Sequence, residues 1–234
     1  MALPGFIFNS SKRAGSFFSN QLPLTVAFIV WFWVTVVVAG GGGLSAEVIE
    51  WIKNEYGHTG VDRLYAWQRL IAKNQDKSEQ EKLNLVNDFF NMLTYSTDKR
   101  LWGKSDYWAT PVEALGKGGA DCEDYSIAKY FTLQEMGIPE EKMRITYVKA
   151  LKLNEHHMVL TYYPAPDAVP LVLDNLNGDI LSASERNDLT PIYSFNGDGL
   201  WLAKSRESGQ RMGSSNRIKL WQDLTTRMKK GVAK

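Results

Sequence analysis

The chain has 234 residues, 44% of them hydrophobic and 23% charged, and its formal net charge is only +1. This length and composition predict one sizeable hydrophobic core with a small helical addition. The near-zero net charge, with no long basic run before the final helix, argues against nucleic acid as a partner. The single cysteine excludes an intramolecular disulfide, so the redox compartment cannot be inferred from cysteine pairing.

The first 43 residues have the layout of an export segment. Lys12 and Arg13 precede an uncharged apolar stretch at residues 22–40, which ends in a run of glycines. The stretch is close to the length needed to span a bilayer, and basic residues before it predict a cytoplasmic N-terminus. We therefore predict that residues 1–43 are a signal peptide, cleaved near Ala39, or a retained membrane anchor. Residues 44–234 would then form a domain outside the cytoplasm.

The exported part opens with a helical pattern from Ser45 to about Asp98, in which apolar residues recur every three to four positions. Ser78 and Glu81 form a capping-box signature that starts the last of three helical segments. A loop with two tryptophans then leads to a short helical turn at residues 111–115. These aromatic residues are expected to pack in the core.

The only cysteine, Cys122, lies in the run Gly118-Gly119-Ala120-Asp121-Cys122-Glu123-Asp124-Tyr125. A glycine-rich turn here passes into the first turn of a predicted helix that ends at Gly137. Backbone N–H groups at a helix N-terminus favour the thiolate, which is the form that attacks carbonyl carbon. The position is typical of a nucleophile rather than of a buried structural cysteine.

Three carboxylates surround this thiol, at Asp121, Glu123 and Asp124. All three also suit the start of a helix, where acidic side chains cap N–H groups and oppose the helix dipole. As like charges they would raise the pKa of the thiol, so a catalytic thiolate needs a compensating cation. Calcium is the cation that a flexible, carboxylate-rich loop favours, although the spacing is not that of an EF-hand.

Beyond the cysteine helix the apolar period changes from helical to alternating, which predicts an antiparallel sheet. A final amphipathic helix closes the chain. The order of helices, nucleophile helix and sheet predicts an α+β fold. The predicted strands are 144–151, 157–163, 170–174 and a short one near 191–195.

A cysteine nucleophile needs an imidazole to take its proton, and the imidazole needs a partner that orients it. The chain has three histidines. His58 lies in the helical N-terminal part and is a poor candidate. His156 and His157 are adjacent at the start of a predicted strand, so one of them points to each face of the sheet.

The predicted hairpin assigns the role between these two. If the turn places Tyr163 opposite Ala168, His157 lies directly opposite Asp174, within reach of an imidazole nitrogen. His156 then points to the other face, with apolar neighbours. A slip of one residue would exchange the two histidines. Zinc is a competing interpretation of these side chains, but the close ligand spacing typical of zinc sites is missing from the sequence.

At this point the sequence resembles the bacterial transglutaminase-like cysteine proteinases, specifically the LapG type. The motif Asp-Cys-Glu-Asp-Tyr is followed by His-Met-Val and Leu-Asp-Asn, and the resemblance covers about Ile49 to Trp201. The stretches that carry it are 119–131, 144–150, 157–160, 171–176, 191–196 and 199–202.

The resemblance implies a papain-like protease on a transglutaminase core, with Cys122 as nucleophile, His157 as base and then acid, and Asp174 as orienting group. It implies a calcium-dependent periplasmic enzyme whose metal ligands are Asp121 and Glu123, to which we add Asp124. The implied substrate is a large surface adhesin, cut near its N-terminus beside an Ala-Ala pair so that the biofilm disperses. The implied partner is an inner-membrane cyclic di-GMP receptor that sequesters the protease.

Two other functions remain open from the sequence. Transglutaminase or deamidase activity would use the same three residues, because the acyl acceptor is chosen by the groove rather than by the triad. A calcium-binding, membrane-tethered interaction module without catalysis belongs to a different class of function.

Overall fold

A computed structural model describes residues 44–203 and 209–229, which belong to one compact unit. The predicted signal peptide or anchor lies outside the described residues. Among those that are described, no helix has the length and hydropathy that a membrane crossing requires.

Six α-helices and nine β-strands make up the described part. The helices are α1 (Ala46–Lys73), α2 (Glu79–Asn91), α3 (Asp98–Leu101), α4 (Pro111–Lys117), α5 (Cys122–Glu135) and α6 (Lys219–Lys229). The strands are β1 (Thr94–Tyr95), β2 (Gly119–Ala120), β3 (Met143–Ala150), β4 (Glu155–Tyr162), β5 (Leu171–Leu173), β6 (Leu181–Ser182), β7 (Leu189–Phe195), β8 (Leu200–Leu202) and β9 (Gln210–Gly213).

The prediction that the first half of the domain is helical is confirmed. Helix α1 has a kink, and a short non-helical segment separates it from α2. Helix α1 bends at Gly57, whose φ of 72° lies outside the helical region. The Ser78 hydroxyl oxygen accepts from the N–H of Glu81, and the Glu81 carboxylate accepts from the N–H of Ser78. The predicted capping box therefore starts α2. Helix α5 begins at Cys122 and is followed by Gly137 in a left-handed conformation, as the sequence indicated.

Seven strands form one sheet in the order β6-β5-β4-β3-β7-β8-β9, and every neighbouring pair is antiparallel. The α+β fold class is therefore confirmed. Helices cover one side of the sheet, where Met158 and Leu160 of β4 join the main core with Ile127 of α5. A smaller apolar cluster fills the other side and comprises Val148, Ala150, Val159, Val172, Ala183 and Leu189.

The hairpin between β4 and β5 differs from the prediction. The Ala168 N–H donates to the Ala165 carbonyl at 3.1 Å, so the tight turn is centred on Pro166 and Asp167. The prediction of Tyr163 opposite Ala168 required a centre one residue earlier. Proline is favoured at the second position of such a turn, which places Pro166 there and moves the centre.

When the turn centre moves by one residue, each residue of β4 faces a β5 residue two positions further along the chain than predicted. Tyr162 accordingly lies opposite Leu171. The prediction that His157 lies directly opposite Asp174 is therefore wrong. Asp174 instead follows the last residue of β5 and lies diagonally from His157. Because a shift of two residues keeps each side chain on its original face, the two still share one side of the sheet.

The approach to Cys122 depends on a tight connection between α4 and α5. Helix α4 ends at Gly118, whose φ is 75°, and β2 then pairs with β1 before α5 begins. The guanidinium of Arg63 from α1 donates to the carbonyls of Leu115 and Gly116, the latter at 2.7 Å. A Cβ atom at Gly118 would lie 2.8 Å from the guanidinium carbon of Arg63.

We expect Gly118→Ala to lower the free energy of unfolding by more than the roughly 1–2 kcal/mol that a left-handed alanine costs, because it also displaces Arg63. Gly137→Ala is the matched control, since Gly137 has a φ of 85° and an added Cβ would meet nothing within 4 Å. Urea denaturation of both variants measures the difference. Equal losses would show that the Arg63 contact does not matter.

Candidate active site

The Cys122 thiol is the first side chain of α5 and is partly buried. It donates a hydrogen bond to Oε2 of Glu123 at 3.0 Å. The backbone N–H of Met158 on β4 also hydrogen-bonds to the sulfur. The sulfur therefore lies against the backbone of the strand residue that directly follows His157.

The surroundings of this thiol oppose its ionisation. Burial raises the pKa of Cys122, and so do the charge and hydrogen bond of Glu123 and the charge of Asp121. The Met158 N–H lowers the pKa but does not outweigh the other groups. Without a compensating cation, the neutral thiol is the stable form, as the sequence had suggested from the three flanking carboxylates.

His157 and Asp174 are in direct contact. Nε2 of His157 lies 2.7 Å from Oδ1 of Asp174, and only 5% of His157 and 1% of Asp174 is exposed. The Leu176 N–H donates to the same carboxylate oxygen at 3.0 Å. Because the carboxylate holds Nε2, any proton that the ring exchanges with a substrate or thiol would pass through Nδ1.

The carboxylate of Asp174 is ionised in this environment. Burial alone would raise its pKa, but the hydrogen bond and charge of His157, the Leu176 N–H and the Arg186 side chain outweigh it. The net effect lowers the pKa of Asp174 to about 2. Arg186 was not recognised from the sequence, since it lies in a loop without any motif.

His156 takes a different position. It is exposed, lies on the face opposite to His157, and stacks on the ring of Tyr147 with centroids 5.1 Å apart. The main-core neighbours predicted for that face, Met158 and Leu160, are buried as expected.

Acidic side chains gather beside the start of α5 in two overlapping groups. Ligand oxygens of Asp98, Asp121 and Asp124 lie within 4.8 Å of one another, and so do those of Asp98, Asp106 and Glu123. Asp98 and Asp106 come from the segment before α4 and were missed in the sequence, because no local spacing links them to Cys122. Either group could hold a metal ion.

The donor oxygens differ in availability. Both oxygens of Asp124 accept backbone N–H groups, from Ala109 at 2.7 Å and from Asp121 at 3.4 Å. Asp124 therefore closes the helix N-terminus and anchors the preceding loop. One buried oxygen each of Asp98 and Asp121 lacks a hydrogen-bond partner. Unpaired buried oxygens of this kind suit a hard cation such as calcium.

Mutual repulsion marks the cluster electrostatically. Burial, followed by the charges of Glu123 and Asp106, raises the pKa of Asp98 to about 6. Burial and the neighbouring carboxylates also raise the pKa of Asp121 and of Asp106.

The C-terminal helix supports the loop that carries the acids. Arg227 of α6 donates to the hydroxyl of Tyr107 at 2.8 Å and also contacts Glu113 and the Trp108 carbonyl. The Tyr107 N–H in turn donates to the second carboxylate oxygen of Asp98 at 2.5 Å. The loop is thus tied to both α6 and the acidic cluster.

Comparison with known proteins identifies the family. The sequence profile described as bacterial transglutaminase-like cysteine proteinase (BTLCP) matches residues 66–191, more than half of the chain. This chain belongs to that family. A search of curated proteins gives no match.

Solved structures of Legionella pneumophila LapG agree with this assignment. One of them is 43% identical in sequence and superposes with a TM-score of 0.68. The alignment covers 78% of this chain and 96% of the LapG chain. A second, calcium-bound, is 45% identical with coverages of 79% and 99% and a TM-score of 0.67. A third, EGTA-treated, is 44% identical with a TM-score of 0.69 and coverages of 78% and 96%. This bacterial transglutaminase-like cysteine proteinase is therefore of the LapG type.

The position of Glu123 predicts how the thiol of this proteinase reacts. We expect Glu123→Gln to speed alkylation of Cys122 by iodoacetamide several-fold in chelator at pH 8, because the pKa of the thiol falls when the adjacent negative charge is removed. Mass spectrometry of the time course measures the rate. Glu141→Gln, at an exposed site, is the matched control. A Glu123→Gln rate equal to that of the control would contradict the electrostatic account.

Proposed function

We propose that this proteinase is a calcium-dependent cysteine endopeptidase in which Cys122 is the nucleophile, His157 the general base and acid, and Asp174 the group that orients the imidazole. The buried hydrogen bond between His157 and Asp174 carries this proposal. It supplies an oriented imidazole on the residue before Met158, whose backbone N–H contacts the only cysteine of the chain, and acyl transfer requires an imidazole oriented in this way.

The reaction proceeds in two halves. Nδ1 of His157 takes the thiol proton while the sulfur of Cys122 attacks the peptide carbonyl carbon. The imidazolium then protonates the leaving amine, and the C–N bond breaks to give a thioester and the first product. Water, deprotonated by the same ring, attacks the thioester and releases the second product and the thiol. Asp174 holds Nε2 throughout and stabilises the imidazolium.

The oxyanion of each tetrahedral intermediate is stabilised by N–H groups at the start of α5. The first N–H groups of a helix have no partner within the helix, and they carry the positive end of its dipole. Because the sulfur belongs to the first residue of α5, the carbonyl oxygen under attack lies near these donors. Fixed donors of this kind favour the transition state over the bound substrate.

Calcium fits the acidic cluster, with Asp98, Asp106, Asp121 and Glu123 as its ligands. The two unpaired buried oxygens and the mutual repulsion of the carboxylates support this assignment, as does the calcium-bound relative. When bound, the ion offsets the negative charge that holds the pKa of the thiol high. Of the residues predicted from the sequence, Asp124 serves mainly to anchor the loop.

The substrate proposed is a large surface adhesin, cut near its N-terminus beside an Ala-Ala pair, with release of the adhesin and dispersal of the biofilm. The proposal rests on the resemblance of this chain to the LapG type. The layout of residues 1–43 supports a periplasmic location, with or without a tether at residues 22–40. An inner-membrane cyclic di-GMP receptor that sequesters the protease is proposed on the same resemblance.

The assignment of the base predicts opposite results for two neighbouring variants. We expect His157→Ala to lose cleavage of an adhesin fragment that contains the Ala-Ala site by at least about 1,000-fold. His156→Ala should retain most activity, because His156 is exposed and lies on the other face. Gel and mass analysis of the digest measures both, with Cys122→Ala as the inactive reference.

Three outcomes of this digest would count against the proposal. Activity in His157→Ala but not in His156→Ala would exchange the two histidines. Crosslinked or deamidated product without two fragments would establish transglutaminase or deamidase chemistry. Full biological activity in Cys122→Ala would favour a non-catalytic interaction module.

The raised pKa values of the acidic cluster predict that calcium binding depends on pH. At pH 6 the pKa of Asp98, about 6, leaves a proton that the ion must displace. At pH 8 that proton is gone, so we expect calcium to raise the melting temperature more at pH 8 than at pH 6. Differential scanning fluorimetry with calcium or EGTA measures the shift.

The same samples test the requirement for the metal. Cleavage should stop in EGTA and return when calcium is added in excess. Full activity in excess chelator, or a calcium-induced stabilisation that is larger at pH 6, would contradict the assignment. Asp98→Asn is expected to reduce the stabilisation, whereas Asp179→Asn, in an exposed loop, should leave it unchanged.

A further inference from the structure

The second oxygen of Asp174 is held as firmly as the first. Oδ2 accepts a hydrogen bond from Nη2 of Arg186 at 2.7 Å, while Oδ1 faces His157. Only 3% of Arg186 is exposed, so this ion pair is as buried as the imidazole. The two bonds lie on different oxygens, and together they determine how the carboxylate plane is turned.

Arg186 is itself fixed by a second carboxylate. Asp188 accepts from Nε and from Nη2 of Arg186, each at 2.9 Å, in a two-point contact. Such bidentate pairs fix the plane of the guanidinium as well as its charge. Burial opposes the charge of Arg186, yet its contacts with Asp188 and Asp174 raise the pKa of the guanidinium.

A second cation faces the same acid from another direction. Lys129 of α5 is buried and interacts electrostatically with Asp174, but its ammonium donates to Asn87 and Asn91, each at 2.8 Å. Asn91 donates to the backbone carbonyl of Asp174 at 3.0 Å. Lys129 and Asn91 thus hold the backbone of this loop. Among the described residues, Arg186 is the cation that touches the carboxylate.

We propose that Arg186 is a positioning residue, which turns Asp174 so that Oδ1 meets Nε2 of His157 and thereby fixes the orientation of the imidazole. The inference rests on the proposed function, in which His157 carries the proton. A carboxylate bonded on one oxygen only can rotate about its terminal torsion, which is broad. Arg186 removes that freedom because its own plane is held by Asp188.

The positive charge of Arg186 also keeps Asp174 ionised. Asp174 is fully buried, and an isolated buried carboxylate tends to become protonated rather than remain charged. A protonated Asp174 would be a weaker acceptor for the Nε2–H of His157 and would no longer stabilise an imidazolium by its charge. The guanidinium, in contact at Oδ2, keeps the acceptor form in place.

The experiment compares Arg186→Met and Arg186→Lys with the unmodified chain of 234 residues, using 15N-histidine labelling and calcium-containing buffer. The Nε2–H proton of His157 should resonate far downfield, because it is buried and bonded to a carboxylate. His58→Gln and His156→Gln assign the signals. Arg211→Met is the matched control, since Arg211 forms an exposed ion pair with Asp198.

We expect the downfield signal to disappear or move in Arg186→Met and to remain in Arg211→Met. The kcat of Arg186→Met should fall about 10-fold or more with KM little changed, because Arg186 shapes the proton relay rather than the substrate site. Arg186→Lys, which keeps the charge but not the two-point contact, should recover part of both losses.

Misfolding and failure of the proposed function are distinguishable from failure of this inference. If Arg186→Met does not fold, Arg186→Lys decides, and unchanged signal and kcat in that folded variant overturn the inference. An unchanged signal in a folded Arg186→Met overturns it as well. If the unmodified chain cleaves no peptide while the signal still depends on Arg186, the endopeptidase proposal fails and the positioning role stands.

Discussion

The crowding of negative charge around a single thiol is the constraint on which the rest of this site depends. Cys122 donates to Glu123 and follows Asp121, while Asp98 at the start of α3 and Asp106 in the loop after it belong to the same acidic cluster. Burial and neighbouring carboxylates raise the pKa of Asp98, Asp106 and Asp121, and burial with the charges of Glu123 and Asp121 raises the pKa of the thiol. A divalent cation bound among these carboxylates would offset their negative charge, and it would link the reactivity of the sulfur to metal binding.

The part of the site around His157 and Asp174 contains groups that offset the negative charge of the buried carboxylate. Asp174 is buried, but the hydrogen bond and charge of His157, the Leu176 N–H and the Arg186 side chain outweigh burial, so its pKa is lowered rather than raised. The Asp174 side of the site therefore has its compensating charge within the chain, whereas the pKa values of Asp98, Asp106 and Asp121 beside the start of α5 are raised.

The hairpin shows why a wrong register still placed the right residues together. The predicted turn centre was one residue early, so the pairing moved by two positions and Asp174 became a diagonal neighbour of His157. Side chains alternate with a period of two, so the faces did not change. The acids at Asp98 and Asp106 offered no such periodic signal, because only the folded chain brings them to α5.

Local patterns in the sequence were enough to determine the helix that begins at Cys122, the capping box at Ser78, the alternation of the strands and the α+β class. They depend on residues a few positions apart, where backbone geometry relates spacing directly to direction. The tertiary structure alone decided the turn centre at Pro166, the joining of Asp98 and Asp106 to the acids around Cys122, and the contact of Arg186 with Asp174. Those contacts join segments far apart along the chain, and packing rather than spacing determines which side chains meet.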